Sequence, residues 1–321
     1  MIPSDRDILG RYRALQVISI VMIAAGLLLP LSVLVANPEI LSSSQTSEAL
    51  QRVIGPVLLL LLGVLLLVVG LVMNAVRALI VRAALPPERY RGPAILVLLL
   101  LSIIVGTVVS LGAGGTVLAL FDGGALSVGG TLLLLTSTQI GLVTVSGGLV
   151  AAPRALAGLH LAPPSGLVRS ILIGLGLAVP AWIGATLLAF LATTALKALG
   201  FSEDKSILDT VLNRGDPTVI LLAFLLVAPV AEELFFRGVV YNAWERERGP
   251  MVAVLGSAAL FAVIHTSLFS LVPIFALGVT LAMLFRSTRS LPAAMAMHAA
   301  FNAISVVLAL LARQGILTLP T

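Results

Sequence analysis

Three short polar motifs lie in the last hundred residues of this chain, inside segments that are otherwise apolar. They are Glu232-Glu233-Leu234-Phe235-Phe236-Arg237, Phe261-Ala262-Val263-Ile264-His265 and His298-Ala299-Ala300-Phe301-Asn302. Carboxylate, imidazole and amide groups of this kind can together hydrolyse a bond with water. A charged side chain at the centre of a membrane helix costs about 2.5 to 3.5 kcal/mol on insertion scales, so such groups need a partner or a function.

Helical spacing gives the two adjacent glutamates different tasks. Glu233 and Arg237 are four residues apart in the favourable order, so they share a helical face and can pair. Glu232 is rotated by about 100° from Glu233, so the same arginine cannot easily serve both carboxylates. This leaves Glu232 free for chemistry. Pro229 frees the carbonyl of Leu225 and favours a kink, which would open space beside Glu232.

The two histidines also have partners at helical spacing. Phe261 lies four residues before His265, and His298 lies four residues before Asn302. Imidazoles can polarise water or bind a metal, and an amide can donate to an oxyanion. Two histidines and a glutamate would also satisfy a catalytic zinc ion, although the usual HExxH helix is absent. A divalent metal such as zinc, bound by His265 and His298, is therefore kept as an alternative, and no other cofactor is expected.

The composition defines the surroundings of these groups. Hydrophobic residues make up 59% of the chain, charged residues make up 10%, and the mean hydropathy is +1.15. We therefore predict a multi-pass integral membrane protein, in the inner membrane if the source is bacterial. The net charge of +5 is explained by arginines in short loops, so no nucleic-acid partner is expected. Because the chain has no cysteine, disulfides, thiolate catalysis and cysteine-ligated metals are excluded.

Nine apolar segments are long enough to cross the hydrocarbon core as helices. The predicted fold is all-α, a polytopic transmembrane helical bundle of about nine spans, with eight as the alternative. Thirteen lysines and arginines fall on one side of this arrangement and five on the other, which favours a cytoplasmic N-terminus. The segments lie roughly at 14–36, 54–80, 94–113, 130–151, 167–198, 217–243, 251–268, 271–286 and 291–312.

The segments divide the chain into three parts. Residues 1–216 are predicted to be N-terminal transmembrane helices of unassigned role, residues 217–312 the catalytic transmembrane core, and residues 313–321 a short tail.

At 1.5 Å per residue, Glu232 would lie ~15 Å from the cytoplasmic end of its span, His298 ~10 Å and His265 ~20 Å. Tilted helices or shifted helix boundaries are needed to bring these three residues to the same depth in the membrane. The site must also be wet, which predicts a hydrophilic cavity among the last four spans.

The ordered set of motifs resembles that of the CPBP intramembrane proteases, which include the type II CAAX prenyl endopeptidases and bacteriocin self-immunity proteins. Glu232 to Arg237 looks like their EExxxR motif, Phe261 to His265 like FxxxH, and His298 to Asn302 like HxxxN. The resemblance covers about residues 217–310. It implies that Glu232 activates water, that His265 and His298 assist it or bind a metal, and that Asn302 stabilises the oxyanion. Glu233 and Arg237 would organise the site.

The resemblance also indicates a function. The family has been described both as metalloproteases and as glutamate-dependent proteases, and we favour a glutamate mechanism that is independent of metal or only weakly dependent on it. The chain is predicted to be an intramembrane endopeptidase that hydrolyses a peptide bond of a membrane-associated protein or peptide, in contact with the lipid bilayer. A proton-coupled transporter is one alternative, because intramembrane acids and histidines also form proton relays. A non-catalytic immunity or scaffold protein, with the motifs as a buried ionic network, is the other.

Overall fold

The computed structural model describes residues 12–37, 47–112, 121–122, 125–126, 128–156, 160–161, 164, 166–202, 222–265, 267–314 and 316. The regular secondary structure of this part of the chain is helical apart from one antiparallel pair of two-residue strands, β1 (Phe121–Asp122) and β2 (Ala125–Leu126). The helices are α1 (Arg13–Ala36), α2 (Ser47–Arg82), α3 (Ile95–Gly112), α4 (Val128–Ser146), α5 (Leu167–Ala198), α6 (Ala228–Glu233), α7 (Asn242–Arg248), α8 (Pro250–Val263), α9 (Leu268–Thr288) and α10 (Leu291–Arg313).

The all-α prediction is confirmed, and helical structure coincides with each of the nine predicted segments. Five helices are long and apolar enough to cross a membrane: α1, residues 55–82 of α2, α5, α9 and most of α10. Two shorter apolar helices lie in α3 and α8. The number of crossings and the cytoplasmic position of the N-terminus stay predictions.

The helices pack in neighbouring groups around a buried apolar core. Helix α1 packs along α2, α3 packs along α4, and α5 packs against both α9 and α10. The outer faces of α1, α2 and α5 leave large apolar side chains exposed, among them Leu28, Leu58 and Leu172. Such wide apolar surfaces fit contact with lipid, as the composition predicted.

The segment at residues 223–248 is an interrupted helix in which two π-helical segments flank α6. In the first, Ala223–Val227, the N–H of Ala228 bonds the carbonyl of Ala223, five residues back. The carbonyl facing Pro229 in this wider register is that of Phe224, and proline has no N–H to give it. Pro229 therefore leaves the carbonyl of Phe224 without a helical partner, where the sequence predicted that of Leu225, and the kink expected there stays a prediction.

The second π-helical segment, Leu234–Tyr241, follows Glu233 directly and carries Arg237. Its wider turns displace backbone carbonyls from their ordinary partners. The buried side-chain amide of Asn242 donates to the carbonyls of Arg237 at 3.0 Å and Gly238 at 2.9 Å. Asn242 thereby gives these two carbonyls a hydrogen-bond donor and fixes the backbone from which Arg237 projects.

The first two backbone N–H groups of α10 both have hydrogen-bond partners. The Ser290 hydroxyl accepts a hydrogen bond from the N–H of Ala293 at 3.2 Å, and the N–H of Leu291 donates to the carbonyl of His160 at 3.1 Å. Ser290 is fully buried, so these donors would otherwise lack water. The caps fix the start of the helix that bears the HxxxN motif.

An ion pair ties α7 to the C-terminal end of α9. Arg289 donates to both carboxylate oxygens of Glu245, at 2.6 and 2.8 Å, and the Tyr241 hydroxyl donates to the same carboxylate at 3.0 Å. Arg289 has a left-handed backbone with φ of 48° where α9 ends. This cluster joins the end of α9 to α7.

Candidate active site

The three motifs meet at one cavity of about 520 Å³. Its walls include Glu232 from α6, His265 from the turn after α8, and His298 and Asn302 from α10. Four of the six predicted site residues therefore line a common space. The cavity differs from the hydrophilic one that the sequence predicted among the last four spans, because more than half of its lining residues are apolar and Thr138 and Gln139 of α4 also line it. Glu233 and Arg237 do not line it and are fully buried behind its wall.

Glu233 is the centre of a buried ionic group. Its Oε1 accepts hydrogen bonds from Nη1 of Arg237 at 2.7 Å and from Nδ1 of His298 at 3.0 Å. Glu233 and Arg237 are wholly excluded from solvent, and His298 is 3% exposed. The pairing predicted from the spacing of Glu233 and Arg237 is present. The bond from Nδ1 also sets the imidazole tautomer, since it leaves Nε2 of neutral His298 without a proton.

Arg237 also joins the ionic group to the neighbouring helices. Its Nη2 donates to the carbonyl of Gly278 at 3.0 Å, and its guanidinium carbon lies 4.9 Å from the ring centroid of Phe261. A Cβ at Gly278 would lie 3.0 Å from Cα and Cβ of Ala258. The missing side chain therefore lets α9 approach α8 closely, and this brings the Gly278 carbonyl within reach of the arginine.

Glu232 faces the opposite side of the same imidazole. Its Oε2 lies 3.9 Å from Nε2 of His298, and its Oε1 accepts a hydrogen bond from Nε2 of Gln139 at 3.3 Å. Unlike Glu233, it has no arginine partner among the described residues and lines the cavity. The separation of the two carboxylates that helical rotation predicted is thus found in the fold.

Phe261 lies between the two histidines. Its backbone carbonyl accepts a hydrogen bond from Nδ1 of His265 at 2.7 Å, which leaves Nε2 of neutral His265 as an acceptor. Its ring makes edge-to-face contacts with His265 at 4.8 Å, with His298 at 5.7 Å and with Phe236 at 5.1 Å between centroids. Phe261 therefore orients both imidazoles, through its carbonyl and through its ring.

Asn302 has a structural bond in addition to its place in the cavity wall. Its Nδ2 donates at 2.9 Å to the carbonyl of Phe224, which Pro229 leaves without a helical partner. A carboxamide carries two N–H donors, so one remains for a ligand. The arrangement fixes the orientation of the amide relative to the cavity.

The described residues do not provide an assembled metal site. No three histidine, cysteine, aspartate or glutamate side chains among them are grouped so that they could hold a metal ion. Glu232, His265 and His298 supply donor atoms of suitable chemistry, but they are not grouped as three ligands of one ion in this structure. A metal at His265 and His298 stays a prediction.

Helix α4 contributes a residue to the site that the motifs did not indicate. Gln139 lines the cavity and bonds Glu232, although it lies about 90 residues before the first motif. A sequence signal was present, because Thr136-Ser137-Thr138-Gln139 is a polar run within an apolar segment. The run contains no ionisable side chain, so it lacks the mark by which the three motifs stand out from an apolar span.

Comparison with known families agrees with the motifs. Residues 214–304 match a family model described as Rce1-like, type II CAAX prenyl endopeptidase Rce1-like. The match confirms the resemblance of this segment to the CPBP proteases and supports an intramembrane protease in general. No curated protein and no solved structure matched the chain at the required significance.

Proposed function

We propose that this protein is an intramembrane endopeptidase in which Glu232 activates a water molecule that attacks a peptide bond. The observation that carries the proposal is the position of Glu232, a carboxylate in the wall of a cavity of about 520 Å³ that also contains His265, His298 and Asn302. The neighbouring carboxylate, Glu233, is already neutralised by Arg237. A buried ion pair accounts for Glu233, whereas Glu232 lines the cavity and forms no salt bridge with an arginine among the described residues.

The reaction begins with proton transfer from water to Glu232. The water oxygen attacks the carbonyl carbon of the substrate, and the electron pair of the C=O bond becomes an oxyanion. The N–H of Asn302 that Phe224 does not use donates to this oxyanion. The carbonyl then re-forms, the C–N bond breaks, and the leaving nitrogen takes the proton from Glu232. One water is consumed and a carboxylic acid and an amine are released.

The two histidines provide hydrogen-bond acceptors for protonated Glu232 and for the attacking water. Once protonated, Glu232 can donate to Nε2 of His298, whose opposite nitrogen is held by Glu233. The present 3.9 Å separation must shorten for this bond to form, as is common when a substrate closes a site. His265 lines the cavity, and its Nε2, which the bond from Nδ1 to Phe261 leaves as an acceptor in the neutral ring, is proposed to accept a hydrogen bond from the attacking water.

The substrate is proposed to be a membrane-associated protein or peptide. Five helices of the chain are long and apolar enough to cross a bilayer, and the matched family consists of membrane proteases. Within this proposal, residues 217–312 form the catalytic core and residues 1–216 supply the surrounding helices. A prenylated protein is one member of this substrate class.

The proposal can be tested by comparing protein termini in membranes from cells that express the wild type or Glu232→Gln. Both proteins are matched for abundance and for thermal stability in detergent. Glu247→Gln is the matched control, because it makes the same chemical change at a carboxylate that pairs with Arg82 away from the cavity. New termini that appear with wild type and Glu247→Gln and are absent with Glu232→Gln are expected.

The same experiment distinguishes the alternatives. Identical termini in all three samples would overturn the protease proposal. Proton-coupled flux that depends on Glu232 in reconstituted vesicles would then favour a transporter. Biological activity that persists in Glu232→Gln without any cleavage would favour a non-catalytic immunity or scaffold protein.

A further inference from the structure

Gln139 lies on α4, outside the segment that matches the protease family, and nevertheless reaches the centre of the candidate active site. Its Nε2 donates to Oε1 of Glu232 at 3.3 Å. Packing of α4 against α6 and against both flanking π-helical segments brings the two side chains together. The contact links a helix of unassigned role to the carboxylate that the proposed reaction requires.

The contact determines which oxygen of Glu232 is free. Oε1 is engaged by Gln139, and Oε2 lies 3.9 Å from Nε2 of His298. Because Nδ1 of His298 donates to Glu233, its Nε2 is an acceptor in the neutral ring and gives no hydrogen bond to the carboxylate. Gln139 therefore donates the hydrogen bond that fixes the orientation of the Glu232 carboxylate.

The other end of the same amide is a buried acceptor. Oε1 of Gln139 is shielded from solvent and has no hydrogen-bond partner among the described residues. A buried carbonyl oxygen that stays unpaired costs about 1 to 3 kcal/mol, so a donor supplied by a ligand would recover that free energy. The backbone N–H groups of a peptide in the adjoining cavity are donors of this kind, and the amide must shift toward the cavity to meet one, because its oxygen is shielded in this structure.

We propose that Gln139 is a positioning residue of this active site, which holds Oε1 of Glu232 through its amide N–H and accepts a backbone N–H of the bound peptide at its amide oxygen. The proposal rests on the proposed function and extends its site to α4. Oε2 of Glu232 is then the oxygen that takes the proton from water. Fixing one oxygen raises the fraction of molecules in which the other is correctly aimed.

The first test is Gln139→Met, which keeps the length of the side chain and removes both hydrogen bonds. A hydrogen bond to a charged group is strong enough that we expect kcat to fall by about 10- to 100-fold. Loss of the peptide contact should raise KM as well. Thr144→Val is the matched control on the same helix, since Thr144 is exposed and its hydroxyl donates to the carbonyl of Ile140 in its own helix. The control should retain the wild-type kcat and KM.

The second test is Gln139→Glu, which separates positioning from a purely structural role. A carboxyl group at this place donates to Glu232 when it is protonated and repels it when it is ionised. The rate of the variant relative to wild type should therefore rise as the pH is lowered from about 8 to about 6. A structural defect would give a constant ratio. This variant also serves if Gln139→Met yields no folded protein.

The results separate this inference from the proposed function. Wild-type kinetics for Gln139→Met, or a pH-independent ratio for Gln139→Glu, with cleavage still dependent on Glu232, would overturn the role of Gln139 alone. Cleavage that does not depend on Glu232 would overturn both. A drop in kcat with unchanged yield and thermal stability, together with the rising ratio at low pH, supports the positioning role.

Discussion

His298 and Glu233 are joined by a 3.0 Å hydrogen bond from Nδ1 of the imidazole to Oε1 of the carboxylate. The opposite ring nitrogen lies 3.9 Å from Oε2 of Glu232. Two glutamates that are adjacent in sequence therefore lie beside the two ring nitrogens of one histidine. The buried glutamate fixes the ring and its tautomer, and the cavity-lining glutamate faces the nitrogen that is left unprotonated.

Arg237 is expected to be essential for folding. It is fully buried, pairs with Glu233 at 2.7 Å and bonds the carbonyl of Gly278. Arg237→Ala would leave Glu233 charged and buried, which destabilises proteins by roughly 3 to 5 kcal/mol. Yield and thermal unfolding in detergent measure this loss. Glu247→Ala is the control: it breaks the partly exposed pair with Arg82 and should cost about 0 to 1 kcal/mol. Equal stability of the two variants would contradict the prediction.

Phe261 is expected to control the orientation of both histidines. Phe261→Leu keeps the backbone carbonyl that His265 uses but removes the ring that contacts His265 and His298. Since aromatic pairs contribute about 0.5 to 1.5 kcal/mol each beyond their buried area, we expect kcat to fall by about tenfold or more. Phe269→Leu changes a buried phenylalanine of α9 in the same way and should affect stability without this loss of kcat. Parallel losses of kcat in both variants would contradict an orienting role for the ring.

The helices were predictable from the sequence because lipid imposes long apolar runs. Each predicted segment coincides with helical structure, and the pair of Glu233 and Arg237 follows directly from the four-residue spacing. The separate position of Glu232 follows from helical rotation in the same way. These relations are local, so periodicity is sufficient to give them.

The depth of the site was not predictable, because it depends on breaks in the helices. Straight spans placed Glu232 and His265 at different depths, whereas in the structure both line one cavity. The segment at 223–248 is interrupted by π-helical turns, and α8 ends at Val263 so that His265 lies in the following turn. The contact of Gln139 with Glu232 spans 93 residues and depends on packing between helices, which periodicity does not encode.

Asn302 is expected to affect both stability and rate. Asn302→Ala removes the donor to the Phe224 carbonyl and the second N–H proposed for the oxyanion. An unpaired buried carbonyl costs about 1 to 3 kcal/mol, and loss of an oxyanion donor slows turnover by about 10² to 10³. Thermal unfolding and kcat measure the two effects separately.

The control for Asn302 lies one turn later on the same helix. Ser305→Ala removes a hydroxyl that accepts from Trp182 at 3.0 Å, which should lower stability without the large loss of kcat. A stable Asn302→Ala protein with a normal rate would remove Asn302 from both roles.

Glu245 is expected to make the protein less stable in acid. Burial alone would raise the pKa of Glu245, but hydrogen bonds from Arg289 and Tyr241 and the charge of Arg289 bring it below its ordinary value of 4.5. A carboxylate with a lowered pKa stabilises the fold above its unfolded pKa, and this contribution is lost as the pH falls through the folded pKa. Thermal stability in detergent should therefore decline below about pH 4.5. Glu245→Gln and Arg289→Ala should each flatten the decline, and an unchanged slope in both would contradict the assignment.

Activity is expected to survive removal of divalent metals. The described residues contain no assembled group of three metal ligands, and Glu232, Gln139 and His298 already form contacts that can support a glutamate mechanism. Purified protein treated with a chelator and dialysed should retain its rate of cleavage, and added zinc should not increase it. The control is wild type carried through the same steps without chelator. Loss of activity that zinc restores, together with one bound zinc per chain by elemental analysis, would instead establish a metal at His265 and His298 and replace the glutamate mechanism with a metal-assisted one.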